Sequence, residues 1–339
     1  MTAMRSVEVV IVGGGPAGSA AAQRLRAAGV GVLVLDRARF PRRKLCAGWI
    51  TPQVVSDLEL DVGSYPHGFL SFDRLCCHVK GLRVPVRSRQ HSIRRYEFDA
   101  WLLERSGAEV IQHTVKSARR EGPDYIIDET FRCRYLIGAG GTACPVRRFL
   151  SNALAPRVRQ LQTMTLELEF PCDWQDGDCH LWFFERGLPG YSWYVPKANR
   201  WLNVGLGAMA SRLNKGAQHV WQHWRHFAAT LQRQFGIHIP REPTGYSYYL
   251  RGGHGTYRVE NALLAGDSAG LATRDLCEGI GPAIRSGQRA ADAIIHGTTY
   301  DLDITGTSLG GIFSRALEWA FTRGVDTINV PSEAGRRLS

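Results

Sequence analysis

The 339-residue chain has no uninterrupted apolar run of 18 or more residues, which argues against a membrane-spanning helix. Its eight cysteines form no CxxC pair and no zinc-type Cys/His spacing. An iron–sulfur cluster or structural zinc is therefore disfavoured, and no metal is expected. His219, His223 and His226 recur at helical spacing, but no carboxylate converges on them in that segment, so they read as a surface or partly buried stripe. The chain also lacks an internal repeat, a low-complexity tract and a long basic tail, and nucleic acid is not an expected partner. The opening MTAMRSVEVV runs straight into an apolar strand and leaves no space for a leader peptide. On that reading the protein is cytoplasmic and its cysteines are free thiols.

Charge is unbalanced without being extreme. Lys and Arg total 42 against 31 Asp and Glu, a formal net charge of +11, in short clusters such as Arg42-Arg43-Lys44. A solvated basic surface is the plain reading. Attraction to an anionic substrate, an acidic carrier protein or an acidic membrane surface is the other, so peripheral membrane contact stays open.

What the chain does have is concentrated first in VEVVIVGGGPAGSAAAQRLRAAGVGVLVLD, from Val7 to Asp36. It reads as an apolar strand, a glycine turn, a small-residue helix and a second apolar strand ending in a carboxylate. Gly13 permits the tight turn, Gly15 lets backbone approach a pyrophosphate, and Gly18 lets the helix lie close on the sheet. Pro16 and Ala17 open a helix whose N-terminal N–H groups and positive dipole end suit phosphates. Asp36, followed by Arg37, stands where a carboxylate accepts hydrogen bonds from ribose hydroxyls.

Further along, residues 40–51 form a Pro-, Gly- and Arg-rich loop, and LCCHVKGLRVPV reads as strand, Gly turn and strand. YEFDAWLLERS has helical period, with Phe98, Trp101, Leu102 and Arg105 on one stripe and its edge. Glu109 to Gly141 reads strand, turn, strand, ending in glycines. TMTLELEF, HLWFFERG, YSWYVPK and WLNVGLGAM read as an antiparallel sheet, Leu213 to Phe235 as a helix, and Gly281 to His296 as another. ALLAGDSAG restores the strand-into-glycine pattern. The expected fold is therefore mixed α/β. One Rossmann-like nucleotide lobe is assembled from residues 1–65, 95–157 and 256–300, and an antiparallel substrate lobe from 66–94 and 158–255. Residues 301–339 form a C-terminal helical segment.

Three further segments resemble flavoproteins with the p-hydroxybenzoate hydroxylase type of fold. Gly266-Asp267 in AGDSAG is similar to their GD motif, whose aspartate contacts the ribose and pyrophosphate of FAD. Glu278-Gly279-Ile280-Gly281, then AIRSG, is similar to a helix start whose N–H groups face the flavin pyrimidine edge. Arg95-Tyr96-Glu97-Phe98-Asp99 is similar to the RxxFD helix start, whose arginine lies near FAD. Within that superfamily the chain resembles the geranylgeranyl reductase family. PRRKLCAG, with Lys44, Cys46, Ala47 and Gly48, is similar to its PxxKxCGG loop, with Ala47 in place of a glycine. YSWYVPK followed by GLG is similar to its YxWxFPK…GxxG strand pair, with Val195 in place of Phe.

The resemblance implies FAD as cofactor and a reductase that saturates C=C bonds of a prenyl or other apolar substrate by hydride transfer. It implies Cys46 as the catalytic candidate, either proton donor or pocket wall, and Trp49, Tyr191 and Trp193 as substrate-side residues. Gly140 stands where most of these flavoproteins carry Asp in GADG, and no second GxGxxG offers a nicotinamide domain. The electron donor is then NAD(P)H or a reduced carrier protein. Rival readings are a class A flavin monooxygenase, a halogenase, since Trp193 and Pro196 match part of WxWxIP, and a non-catalytic electron-transfer flavoprotein.

Overall fold

The structure is a computed structural model that describes residues 4–213, 219–252, 255–302, 308 and 311–322. The strand Arg5–Val12 carries an apolar run that is buried over its last four residues, as a central parallel strand requires. It lies between Val32–Asp36 and Phe131–Gly138, both parallel to it. Ala262–Leu264 extends the sheet in parallel beyond Phe131–Gly138, and Glu109–Gln112 beyond Val32–Asp36.

Because these strands share one direction, their carboxyl ends form one edge, with Val12 in register with both Leu35 and Gly138, and Gly138 with Leu264. Gly13, Asp36, Gly140 and Asp267 all follow from that edge. Three strand intervals separate the strand of Asp36 from the one preceding Asp267, a span of about 14 Å. Glu109 to Gly141 holds four strands, two more than the sequence pattern predicts. The additional pair, Ala118–Glu121 and Asp124–Ile127, is four residues long in each arm, and the first arm has no apolar alternation to betray it.

Two helices cover this sheet. Pro16–Ala27 is rich in Ala, and Ile280–Ile295 crosses it with Gly287 at the contact. A Cβ on Gly287 would lie 2.1 Å from the Ala17 carbonyl oxygen, so the two backbones meet directly. Small residues on both helices are what permit that approach.

The second sheet has eight strands, in the order Thr244–Tyr249, Gln162–Pro171, Trp201–Met209, Gly190–Lys197, Cys179–Phe183, Leu70–Val79, Leu82–Ser92 and Trp49–Ile50. The sequence predicts an antiparallel sheet, and one junction departs from this: Cys179–Phe183 runs parallel to Leu70–Val79. These strands come from separate inserts, so no hairpin dictates their relative direction. Trp49–Ile50, expected within the nucleotide segment 1–65, pairs with His91–Ser92 and joins the second sheet. Two residues carry no period to reveal that.

The two faces of this sheet are distinct. Leu166, Leu168, Tyr194 and Val204 pack under the helix Val220–Phe235 through Trp224, Phe227 and Leu231. That helix is shorter than expected. Leu213 ends a separate helix, Ala210–Leu213, and residues 214–218 lie outside the described ones. The opposite face carries Leu75, Leu181, Phe183, Tyr191 and Trp193, against Trp49, Leu276 and Phe321. Phe321 belongs to Gly311–Thr322, the described helix of the C-terminal segment.

Candidate active site

The glycine turn closes as backbone sterics demand. Gly13 has φ +111°, and a Cβ there would stand 2.4 Å from the Ala139 carbonyl oxygen. A Cβ on Gly18 would fall 1.9 Å from the Gly13 oxygen. Gly15 is different: a Cβ there meets only the Arg42 guanidinium, at 3.3 Å, so the space above the turn is open and cationic. No side chain caps the helix that Pro16, Ala17 and Gly18 begin, which leaves its positive dipole end facing the sheet edge. Asp36 is buried and accepts from Gly14 N–H at 2.8 Å and from Ala38 N–H at 2.9 Å. Each oxygen keeps a lone pair for a ligand hydroxyl. Arg37 is exposed just beyond it.

Farther along the edge, Gly266 holds φ +60°, packed between Ala17 and Ala283. The Asp267 carboxylate lies 3.5 Å from the Tyr246 hydroxyl. Lys44 stacks its ammonium 3.3 Å from the Tyr246 ring centroid, which carries a cation from the 40–51 loop to the GD turn. Gly140 sits against Cys144. The start of Ile280–Ile295 departs from expectation. The resemblance implies N–H groups that face a flavin, whereas here the Glu278 carboxyl accepts from Gly281 N–H, with Gly279 at the N-cap. Burial pushes Glu278 up to about 7. The Ile280 side chain is buried with Ile50, Val54 and Phe98, so only its backbone is available to a cofactor.

The Cys46 loop is anchored from beneath by buried polar groups. Glu167 accepts from Cys46 N–H at 2.6 Å and from Asn203 Nδ2 at 3.0 Å. Asn203 Oδ1 in turn accepts from Trp193 Nε1 at 2.7 Å. Lys197, fully buried, donates to the carbonyls of Ala47, at 2.6 Å, and Ile93. Gly48 holds φ +67°, and a Cβ there would lie 2.1 Å from the Ile93 oxygen and 2.3 Å from Lys197 Nζ. Glycine is what admits the lysine under the loop.

Desolvation shapes the charges of this cluster. Burial pushes Glu167 up to about 7 against the pull of its two donors. Burial likewise lowers Lys197 from its ordinary value. The Cys46 sulfur accepts from Gly48 N–H at 3.4 Å and touches the Arg95 guanidinium. Arg95 is paired with Asp99 through two hydrogen bonds of 2.6 and 2.8 Å. Burial opposes its charge, but Asp99 and the Cys46 sulfur together hold it above the usual arginine range.

Trp49, from one segment, and Tyr191 and Trp193, from another, meet on one sheet face. Each has its polar atom consumed: Trp49 Nε1 donates to Gln90 Oε1 at 2.8 Å, the Tyr191 hydroxyl to the Leu276 carbonyl, and Trp193 Nε1 to Asn203. What the rings present is apolar. A narrow cleft adjoins Tyr191 and Trp193, bounded also by Met209, Tyr248, Cys277 and Phe321.

The sequence assigns no site role to Arg42, Glu167, Lys197 or Asn203. The signal for Glu167 lay in TMTLELEF. Leu166, Leu168 and Phe170 were legible as one core face, which makes Glu167 and Glu169 read as a solvated one. In the fold both faces of that strand are covered, and Glu167 is 4% exposed.

The edge accommodates an FAD. It combines an open glycine position, an uncapped helix start, the carboxylates Asp36 and Asp267, and nearby cations Arg42 and Lys44. The sequence matches the FAD binding domain family over residues 6–59. Menaquinone reductase of Mycolicibacterium smegmatis is 27% identical, over 87% of this chain and 78% of that protein. Geranylgeranyl diphosphate reductase of Rhodobacter capsulatus is 25% identical, over 84% of this chain and 74% of its own length. Among solved structures, a geranylgeranyl bacteriochlorophyll reductase-like protein from Thermoplasma acidophilum superposes with a TM-score of 0.73 at 18% identity, covering 87% of this chain and 79% of that one. FAD is thus the cofactor, and the chain is an FAD-dependent oxidoreductase similar to geranylgeranyl and menaquinone reductases.

Proposed function

We propose that the protein reduces an isolated C=C bond in a polyprenyl chain, free or attached to a quinone or lipid head group. The observation that carries this is the meeting of Trp49, Tyr191 and Trp193, their polar atoms turned away, beside the Cys46 loop at the nucleotide edge. An unactivated alkene offers no polar handle, so orientation and exclusion of water must do most of the work. A face of aromatic rings with consumed donors supplies both.

In this reading Gly13, Gly15, Gly18, Asp36, Arg37, Lys44, Ala47, Gly48, Arg95, Gly140, Gly266, Asp267 and Gly279 to Gly281 hold FAD. Residues 1–65, 95–157 and 256–300 make up most of its lobe. When bound and reduced, FAD supplies the hydride that alkene saturation consumes. Cys46 holds a proton at Sγ, or walls the pocket for a water that does. Glu167, Asn203 and Lys197 fix the height of its loop, and Arg95 fixes the sulfur. The aromatic face orients the chain, and residues 66–94 and 158–255 provide most of that side. The electron donor is NAD(P)H or a reduced carrier protein, and the substrate's apolarity suits a protein that works at a membrane surface.

Anaerobic photoreduction followed by rapid mixing with menaquinone or geranylgeranyl diphosphate tests this. Flavin absorbance should return without oxygen as the alkene is saturated. Reoxidation only after oxygen is admitted would point to a monooxygenase and overturn the reading. So would response to a protein acceptor alone.

A further inference from the structure

The hairpin Leu70–Val79 and Leu82–Ser92 turns on two residues, Lys80 and Gly81, both with left-handed φ (49° and 83°). Its register pairs Leu75 with Val86, Cys77 with Val84 and Val79 with Leu82. Directly opposed side chains share a face, so these six aliphatic or thiol groups form one continuous strip. The inner end of the strip, Leu75 and Cys77, is buried in the same apolar cluster as Tyr191 and Trp193. Among the described residues nothing covers the outer end: Leu82 is 70% exposed and Val84 44%.

The opposite face of the hairpin carries Arg74, Arg83 and Arg87, by the same register. With Lys80 and Arg89, residues 73–89 hold five cations against one carboxylate, Asp73. Among the described residues, Trp49–Ile50 pairs only with His91–Ser92, and beyond it the strand Leu82–Gln90 is an open sheet edge. Charged residues commonly guard such edges against pairing with other chains. That role accounts for the arginines but not for two aliphatic side chains left in solvent at the tip.

We propose that this hairpin is a membrane-docking element. Leu82 and Val84 enter the acyl boundary of an anionic bilayer while Lys80, Arg83 and Arg87 engage its head groups. One apolar face for lipid and cations for phosphate is the combination that interfacial segments use. The aliphatic strip then runs unbroken from the bilayer to the aromatic face. The direction of substrate entry rests on the apolar-substrate reading above, whereas vesicle binding itself does not.

The test is co-sedimentation of the FAD-loaded protein with vesicles of phosphatidylglycerol and phosphatidylcholine in equal parts, against phosphatidylcholine alone. The protein should bind the anionic vesicles and be released by salt. Leu82→Asp with Val84→Asp, and separately Arg83→Glu with Arg87→Glu, should each weaken binding by about tenfold or more. Flavin absorbance and the melting transition should stay unchanged, because these side chains are at the surface. Failure of the wild type to sediment with anionic vesicles overturns the proposal. So does equal binding to both vesicle types, or variants that bind like the wild type, as docking through an acidic protein partner would predict. A protein that binds vesicles but reduces no alkene contradicts the function reading and leaves this one standing.

Discussion

The Glu167 carboxyl accepts a hydrogen bond from the backbone N–H of Cys46 at 2.6 Å, although 121 residues separate the two in the chain. The height of the loop that carries the candidate thiol is thereby set by a buried strand of the other sheet. Removing that acceptor should therefore change the chemistry more than it changes cofactor retention.

Stability should depend on this carboxyl in a defined direction. Its folded pKa, about 7, lies above the ordinary 4.5, so the folded state binds the proton more tightly than the unfolded state does. Its contribution is greatest below about 4.5 and declines as pH rises to about 7, by an order of roughly 3 kcal/mol. Glu278 acts in the same direction over the same window. Urea unfolding at a series of pH values should show Glu167→Gln with a shallower decline than the wild type. Parallel curves would show that Glu167 is not protonated in the fold.

Cys46→Ala should keep FAD, because the loop is held through backbone groups of Cys46 and Ala47 rather than through the thiol. Alkene reduction should slow by at least about tenfold in single-turnover mixing, the low end for loss of a proton donor. Unchanged turnover would remove the residue from the chemistry.

Gly48→Ala meets two obstacles at once, a left-handed φ and a Cβ driven into the Ile93 oxygen and Lys197 Nζ. We expect a loss of about 2 kcal/mol or more on denaturant unfolding. Turnover should fall with it as the loop lifts. A variant as stable as the wild type would mean the loop does not sit this close to the lysine.

Gly287→Ala should separate the helices Pro16–Ala27 and Ile280–Ile295, since its Cβ would lie 2.1 Å from the Ala17 oxygen. Both helix starts lie at the nucleotide edge, so FAD affinity should fall by about tenfold or more along with stability. Flavin release during ultrafiltration measures it, and full retention would contradict the packing.

Legibility in the sequence followed from how local the physical demand was. Gly13, Gly18 and Asp36 answer requirements of one turn and one strand end, and each lies where the pattern placed it. Tyr191 and Trp193 share a face because strands alternate, and they do so here. That the Gly281 N–H has an acceptor within the chain was not legible, for a complementary reason. Glu278 was read as part of a motif, while its side chain folds back on the helix start. Trp49–Ile50 and Ala118–Glu121 were too short to carry a period.

By itself the sequence determined the nucleotide turn, the alternation of its sheets and the aromatic strand, because steric and hydrophobic rules act over a few residues. Only the tertiary structure decided that Glu167 and Lys197 lie under the Cys46 loop, and that the apolar strip of the hairpin meets the aromatic face. Burial of a charged side chain depends on what arrives from distant segments to cover it, and no window of sequence contains that information.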